Sequence, residues 1–423
     1  MKTKLLIFGI TGDLSTRKLL PAIEQIITDA SIKLEVIGVS RSVVNLEELI
    51  SESTLRQYVR VFTMNIAEPG EYQRLKESID LKSDEQLLVY LSVPPRAATQ
   101  IVDFLGETGI NTPNVKLLFE KPFGVDLVSA EEIISRTARF YNEDQIFRID
   151  HYLAKEMAQN IVALRGGNAL FGHVWNDNSI ERIEVLALET LTIEGRGQFY
   201  EQTGALRDVV QGHLMQLLAL ILMEIPLEFD WNELPSARLA ALRQLQSANK
   251  EKAVRSQYDG YAEEAGNPGS MVETFVSLEL LSNDPRWKNT TLALTTGKAL
   301  NEKTTEIRIH FRKAHEAQSN CLVFHVQPNE GVEIELYIKK PGYDREFEVK
   351  KLAFSYPEDT ILPDAYEQVL VDAIRSRKSL FTSSEEVLES WRILQPLLDD
   401  WVMSNERPKI YKKGSAPREI ITK

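Results

Sequence analysis

The chain has 423 residues, 43% hydrophobic and 26% charged, with a formal net charge of −13. It is too long for one ordinary core, so two domains are expected of an otherwise soluble, globular composition. The acidic balance argues against nucleic acid as a general partner, and a small anionic ligand would need a local basic pocket.

Met1–Phe8 runs into a turn at Gly9 and reads as a strand, not as a signal peptide. β-rich runs at Leu5–Phe8, Glu35–Val39, Leu87–Ser92 and Lys116–Phe119 alternate with helical stretches near 17–29, 45–57, 70–79, 96–108 and 128–141. Such alternation predicts an α/β domain over residues 1–150, a parallel sheet with helices on both faces. Beyond 150 the pattern changes. A helix near 153–165 and a strand near Glu181–Glu189 precede helices near 203–223 and 235–247. Alternating runs at 271–281, 305–312, 321–327 and 332–339 suit a large, mainly antiparallel sheet with one solvated face. Helices near 364–376 and 384–402 complete an α+β domain over 151–423. Gly266-Asn267-Pro268-Gly269 marks a loop. The single cysteine, Cys321, lies in an apolar run and reads as a buried structural thiol. It excludes an intrachain disulfide and a cysteine-ligated zinc site, and suits a reducing cytoplasm. No run is read as a membrane span.

The first strand ends in Gly9-Ile10-Thr11-Gly12-Asp13-Leu14-Ser15, followed by a helix with Arg17-Lys18. Glycines at a strand-to-helix turn let the backbone approach a pyrophosphate at the positive helix end. The Gly-x-x-Gly spacing alone fits a plain tight turn equally well. The second strand ends in Ser40-Arg41-Ser42, without the acid that would hold a free 2′-hydroxyl. Arg41 can pair instead with a 2′-phosphate, so NADP is preferred to NAD and the first domain reads as Rossmann-like and doubly wound. Ser92-Val93-Pro94-Pro95 and Glu120-Lys121-Pro122-Phe123-Gly124 follow two further strands at the carboxyl edge, where such sheets bind ligands. Pro122 biases Lys121 toward an extended backbone.

Arg148-Ile149-Asp150-His151-Tyr152-Leu153-Ala154-Lys155-Glu156 is the most informative stretch. His151 and Lys155 are four apart and would share one face of a helix, a candidate anion cradle. Capping and solvated-face roles fit these charges as well. Asp208 and His213 are five apart, roughly 140° around an α-helix. His213, flanked by small and apolar residues, is a general-base candidate if an acid orients its second nitrogen, and Asp150 is a candidate for that acid. His173, His310, His315 and His325 read as structural, and no histidine spacing resembles a metal site.

In order along the chain, these motifs resemble the glucose-6-phosphate dehydrogenase family. Gly9–Leu19 is similar to its Gly-x-x-Gly-Asp-Leu-x-x-Arg-Lys-Leu turn, and Arg148–Glu156 matches its signature at every position but Ala154. Glu194–His213, Gly297–Lys303, Gln327–Glu330 and Leu362–Glu367 are similar to later blocks. The resemblance implies an NADP-dependent oxidation of glucose 6-phosphate at C1, with His213 as base and Asp150 as its orienting acid. It implies a phosphate clamp of His151, Tyr152 and Lys155, hydroxyl contacts by Glu189 and Asp208, and basic contacts by Lys298 and Lys303. Lys121 would touch both cofactor and sugar. Lys18 and Arg41, with Asn65 and Ile66 near the adenosine, would join the Gly9–Ser15 turn and Ser92–Pro94 at the cofactor. A homodimer or homotetramer is implied, built on the antiparallel sheet, with no membrane or nucleic-acid partner. A dehydrogenase of a related sugar phosphate and a catalytically silent scaffold are the alternative readings. Departures from the family pattern are Ala154 for glycine, Gly212 for asparagine and Gln198-Phe199 for a glycine-aromatic pair. Thr295 stands where some members carry an arginine that holds a second, structural NADP, so no second site is expected.

Overall fold

The structure is a computed structural model that describes residues 2–28, 32–51, 53–225, 230–313, 319–357, 360 and 362–422. His315 lies outside the described residues. The chain forms two compact units. The first comprises Met1–Gly124, Val128–Ala154 and Pro363–Val387; the second comprises Val125–Leu127, Lys155–Leu362 and Leu388–Lys423. The sequence reading places a single break at 150, whereas Pro363–Val387 returns to the first unit.

The first unit is built on β1 (Lys2–Phe8), β2 (Leu34–Ser40), β3 (Val59–Thr63), β4 (Glu85–Leu91), β5 (Val115–Phe119) and β6 (Ile146–Ile149). These strands lie parallel in the order β3-β2-β1-β4-β5-β6, and the short strand Phe381–Thr382 pairs antiparallel with β6. β4 is buried along its whole length and β1 from its second residue, because central parallel strands are covered on both faces. β3 escapes the sequence reading because it is an edge strand with only Val59 buried. Its Arg60 pairs with Glu35 at 3.1 Å and donates to the Ser78 carbonyl at 2.7 Å. The helix expected over 45–57 is two single turns, Leu46–Leu49 and Ser53–Arg56.

Helix Ala365–Ile374 contributes Val369, Leu370 and Ala373 to the core that holds Leu5, Ile7, Leu118 and Phe147. Two side chains from the sheet reach its last carbonyls. Lys116 Nζ donates to the Ala373 oxygen at 2.7 Å, and Gln86 Nε2 to that of Ile374 at 2.9 Å. Burial pushes the Lys116 ammonium down to about 8.

The second unit carries β7 (Ile180–Leu188), β8 (Ala253–Tyr258), β9 (Phe275–Leu280), β10 (Thr291–Gly297), β11 (Thr304–Phe311), β12 (Cys321–Gln327), β13 (Gly331–Lys339) and β14 (Phe347–Ser355). With the short strand Lys409–Tyr411 they form a nine-stranded sheet in the order β14-β13-β12-β11-β7-β10-β9-β8-Lys409–Tyr411. Only β7 with β10, and β8 with the short strand, pair in parallel; the other neighbours are antiparallel. One face gathers Ile183, Val185, Ile307, Ile309, Leu322 and Phe324 by cross-strand register. The opposite face is charged: Arg182 pairs with Glu184 and Glu279, and His310 Nε2 lies 2.9 Å from Glu184 Oε2. His325 Nδ1 lies 3.3 Å from Glu306. Cys321 is buried. Thr295 is buried, and its hydroxyl hydrogen-bonds that of Ser277 at 2.9 Å.

Contrary to the sequence reading, one helical run among the described residues, Gly197–Leu222, is long and apolar enough to span a membrane. Its most apolar window is 83% buried inside the protein, as a core helix would be. The run is not uniform. Gly197–Ala205 is α-helical, Leu206–Leu214 is π-helical and Met215–Leu222 is α-helical again.

Candidate active site

At the carboxyl end of β1, Gly9 takes φ +83°, and a Cβ there would lie 2.3 Å from the Ser92 carbonyl oxygen. The turn is held by its own bonds. Gly12 N–H donates to the Gly9 oxygen at 2.9 Å, and Ser15 Oγ donates to the same oxygen at 2.9 Å. Ser15 Oγ also lies 3.2 Å from Ser92 Oγ, so the turns after β1 and β4 are joined. Buried Ile10 fills the space over Gly38 of β2, where a Cβ would meet Ile10 Cδ1 at 2.3 Å. Ser15–Leu19 is one π-helical turn, with Leu20 N–H returning to the Ser15 oxygen. Thr11 and Asp13 are exposed, Leu14 is half-buried, and Val93 and Pro94 continue the β4 turn into helix Pro95–Glu107.

Arg41 is exposed just past β2, and no carboxylate accompanies it in Ser40–Ser42. Asn65 and Ile66 follow β3 at the same edge. Asn65 Oδ1 accepts the Ala67 N–H at 3.1 Å, and the Ile66 carbonyl accepts the Tyr72 hydroxyl at 2.7 Å. Lys18 is engaged by Asp364, Nζ to Oδ2 3.1 Å, and Asp364 also caps helix Ala365–Ile374. A glycine turn with no room for side chains, and an exposed arginine without an acid beside it, fit an NADP-type dinucleotide.

β6 leads into the signature segment. Asp150 is buried, and its Oδ1 accepts the Tyr152 N–H at 3.0 Å, an Asx turn. Leu153 N–H returns to the Asp150 oxygen at 3.0 Å, and turns continue through Ala154. Helix Glu156–Gly167 starts only after Lys155, which is its extended N-cap residue. His151 and Lys155 therefore do not share an α-helical face, in contrast to the sequence reading. The aspartate has bent the chain into turns where the helix was expected. Ala154 belongs to the apolar core of the first unit. The His151 ring lies 4.9 Å from that of Tyr152 and stacks at 6.4 Å on Tyr366.

Glu120, at the end of β5, accepts a hydrogen bond from the Tyr90 hydroxyl. Burial, assisted by the nearby Asp150 charge, pushes the Glu120 carboxyl up to about 7, against the pull of Tyr90 and Lys121. Burial and the charges of Glu120, Asp364 and Asp150 raise the Tyr366 phenol. The Lys121–Pro122 peptide is cis.

In the second unit, Lys298 follows β10 and is 3% exposed. Its Nζ lies 2.7 Å from Glu189 Oε2 and 5.4 Å over the Tyr200 ring. Its backbone is clamped as well: its N–H donates to the Thr274 oxygen at 2.9 Å, and its carbonyl accepts the Tyr411 hydroxyl at 2.6 Å. Lys303 is exposed. Beside Lys155, Glu330 Oε2 accepts the Met157 N–H at 2.6 Å; burial raises its carboxyl while the Lys155 charge opposes the rise.

Asp208 and His213 sit in the π-helical Leu206–Leu214, and His213 is 7% exposed. Met215 N–H returns to Val210, five residues back. A π-helix is wider and turns less per residue, so five residues bring the two side chains closer to one side than an α-helix would. Asp208 and Glu189 both act on buried Tyr200, whose phenol is raised by burial and by their charges. Tyr200, Tyr411 and Tyr90 escape the sequence reading, because a buried tyrosine in a helix or strand has the signature of ordinary core. Among the described residues, no group of three or more histidines, cysteines and carboxylates could hold a metal ion.

The strand order of the first unit and its glycine turn define a dinucleotide-binding protein of the dehydrogenase class. Comparison with known families sharpens this. The profile "Glucose-6-phosphate dehydrogenase, NAD binding domain" matches residues 6–160, and "Glucose-6-phosphate dehydrogenase, C-terminal domain" matches residues 162–421. The chain belongs to the glucose-6-phosphate dehydrogenase family. It is 35% identical over 457 residues to the glucose-6-phosphate 1-dehydrogenase of Chlamydia muridarum, covering 94% of this chain and 90% of that one. A glucose-6-phosphate dehydrogenase solved in complex with its substrate glucose 6-phosphate is similar at a TM-score of 0.92 and 29% identity, covering 100% of this chain and 96% of that one. The crystal structure of glucose-6-phosphate 1-dehydrogenase from Mycobacterium avium is similar at 0.87 and 30%, covering 98% and 94%.

Proposed function

We propose that the chain oxidises D-glucose 6-phosphate at C1 to 6-phospho-D-glucono-1,5-lactone with formation of NADPH, the first oxidative step of the pentose phosphate pathway. One observation carries this reading: both domain profiles match in order, over a fold similar throughout to one solved with glucose 6-phosphate.

His213 takes the proton of the C1 hydroxyl, a contribution of about 10²–10⁴-fold for a general base. Asp150 keeps the role of orienting acid that the resemblance gives it. Glu189 and Asp208 accept hydrogen bonds from sugar hydroxyls. His151, Tyr152 and Lys155 bind the phosphate, and Lys298 and Lys303 add positive charge. Binding at the phosphate, remote from C1, supplies energy for orientation. Residues 1–150 hold NADP through the Gly9–Ser15 turn, Ser92–Pro94, Arg41, Asn65 and Ile66, with Lys18 at its margin and Lys121 facing cofactor and sugar. Bound NADP supplies the hydride acceptor.

The rest, residues 151–423, serves substrate binding and self-association in a cytoplasmic homodimer or homotetramer. Support comes from β14, an edge strand of nine residues that exposes Phe347 (67%), Leu352 and Phe354. Apolar side chains on an open edge ask for a second copy. Sedimentation of the full chain tests this; a monomer at micromolar concentration refutes it.

The activity test is NADPH formation from glucose 6-phosphate by wild type and His213→Asn. Wild type turns over, and the variant loses about 10²–10⁴-fold in kcat. No turnover with NADP or NAD sinks the reaction; a fully active variant sinks the role of His213.

A further inference from the structure

The helical run that carries Asp208 and His213 breaks just before its π-helical segment. Gly204 takes φ +63° and ψ 179°, and Leu206–Leu214 follows as a π-helix. A break of this kind leaves amides at the start of the new segment without helical partners. One residue supplies them. Glu273 Oε1 accepts the Leu206 N–H at 2.9 Å, and the Glu273 carbonyl accepts the Ala205 N–H at 3.0 Å. Glu273 is 4% exposed, so this cap operates away from water, where a hydrogen bond to a carboxyl is strong and its loss is costly.

The fit is close on both sides. A Cβ on Gly204 would lie 2.4 Å from Glu273 Oε1. The adjoining Thr274 accepts the Lys298 N–H, and its own N–H donates to the Ser256 oxygen at 2.9 Å. Two consecutive residues thus anchor the backbones that carry Lys298 and the pair Asp208 and His213. Burial raises the Glu273 carboxyl, opposed by the Leu206 N–H and the charges of Arg207 and Arg255.

We propose that Glu273 is a positioning residue for the dehydrogenase reaction: by capping the π-helical segment at Leu206 it fixes the side on which Asp208 and His213 face. The effect on rate rests on the function proposed above. A shift of about 1 Å in a reacting group can cost on the order of 10²-fold, which sets the scale expected.

The test uses the full chain with Glu273→Ala, Glu273→Gln and Glu273→Asp. Glu273→Ala lowers kcat for glucose 6-phosphate by about 10–10²-fold, while KM for NADP stays within about twofold. Glu273→Gln keeps an acceptor oxygen and restores kcat to within about threefold, and Glu273→Asp falls between. Hydrogen exchange over residues 205–214 rises in Glu273→Ala and not in Glu273→Gln, and the imidazole resonances of His213 shift while those of His173 do not. Unchanged exchange and unchanged His213 resonances in Glu273→Ala overturn the proposal. So do wild-type kcat in Glu273→Ala, and equal impairment in Ala and Gln. If Glu273→Ala does not fold, Glu273→Asp decides by the same readouts. If wild type itself shows no turnover, the reaction falls, and exchange and resonances still decide on Glu273.

Discussion

Asp208 and His213 stand five residues apart in Leu206–Leu214, a π-helical segment that turns less per residue than an α-helix. In an α-helix the same spacing would turn them roughly 140° from one another. The wider turn narrows that angle, which suits the roles proposed for both side chains at one sugar. Asp208→Asn therefore raises KM for glucose 6-phosphate by about tenfold, the loss of a charged hydrogen bond, with KM for NADP nearly unchanged. Steady-state kinetics check this; equal changes in both constants would move Asp208 away from the sugar.

Arg41 is the exposed cation that distinguishes this turn from an acid-bearing one. Arg41→Ala raises KM for NADP on the order of tenfold or more and leaves KM for NAD within about twofold, because only NADP carries the 2′-phosphate. Parallel titrations with the two cofactors decide it.

Gly9→Ala is predicted to unfold or disable the first unit. The position has positive φ, and the added methyl would press on the Ser92 backbone, which cannot swing aside as a side chain can. A loss of about 1–3 kcal/mol is expected from the strain alone. Thermal melting with and without NADP measures it; a stable variant that binds NADP normally contradicts the proposed close approach.

Glu120 makes stability depend on pH. Folded, its carboxyl titrates at about 7; unfolded, at its ordinary value of 4.5. The contribution is whole below the unfolded value and is lost as pH rises from about 4.5 to about 7, since only the folded chain still binds the proton there. Glu120→Gln keeps an acceptor for Tyr90 and cannot titrate. Its melting temperature relative to wild type rises between pH 5 and pH 7. A difference that stays flat with pH would mean that the carboxyl titrates normally.

Much of the first unit was legible because β1, β2, β4 and β5 are apolar runs between helices, as buried parallel strands must be. β3 and β14 were not, since an edge position or two exposed faces erase the alternation. The motifs of the candidate site were legible where glycine, proline and charge interrupt an apolar pattern. Glu273 and Tyr411 gave no such signal. Their partners, Leu206 and Lys298, lie far off in sequence, and only the folded chain joins them. The π-helix was illegible for a plainer reason: a helical pattern is read with a period of 3.6, and nothing in the residues themselves announces a wider one.

The return of Pro363–Val387 to the first unit bears on how the chain is made. The six parallel strands leave the ribosome early, but the helix with Val369 and Leu370 and the strand with Phe381 emerge only after β7–β14, eight strands of the nine-stranded sheet. Until then part of the first core lies open, and its closure waits on a very long loop. The two units do not mature in succession. A chain stopped short of residue 363 would strand apolar surface in the half already synthesised, and would be a natural client for chaperones.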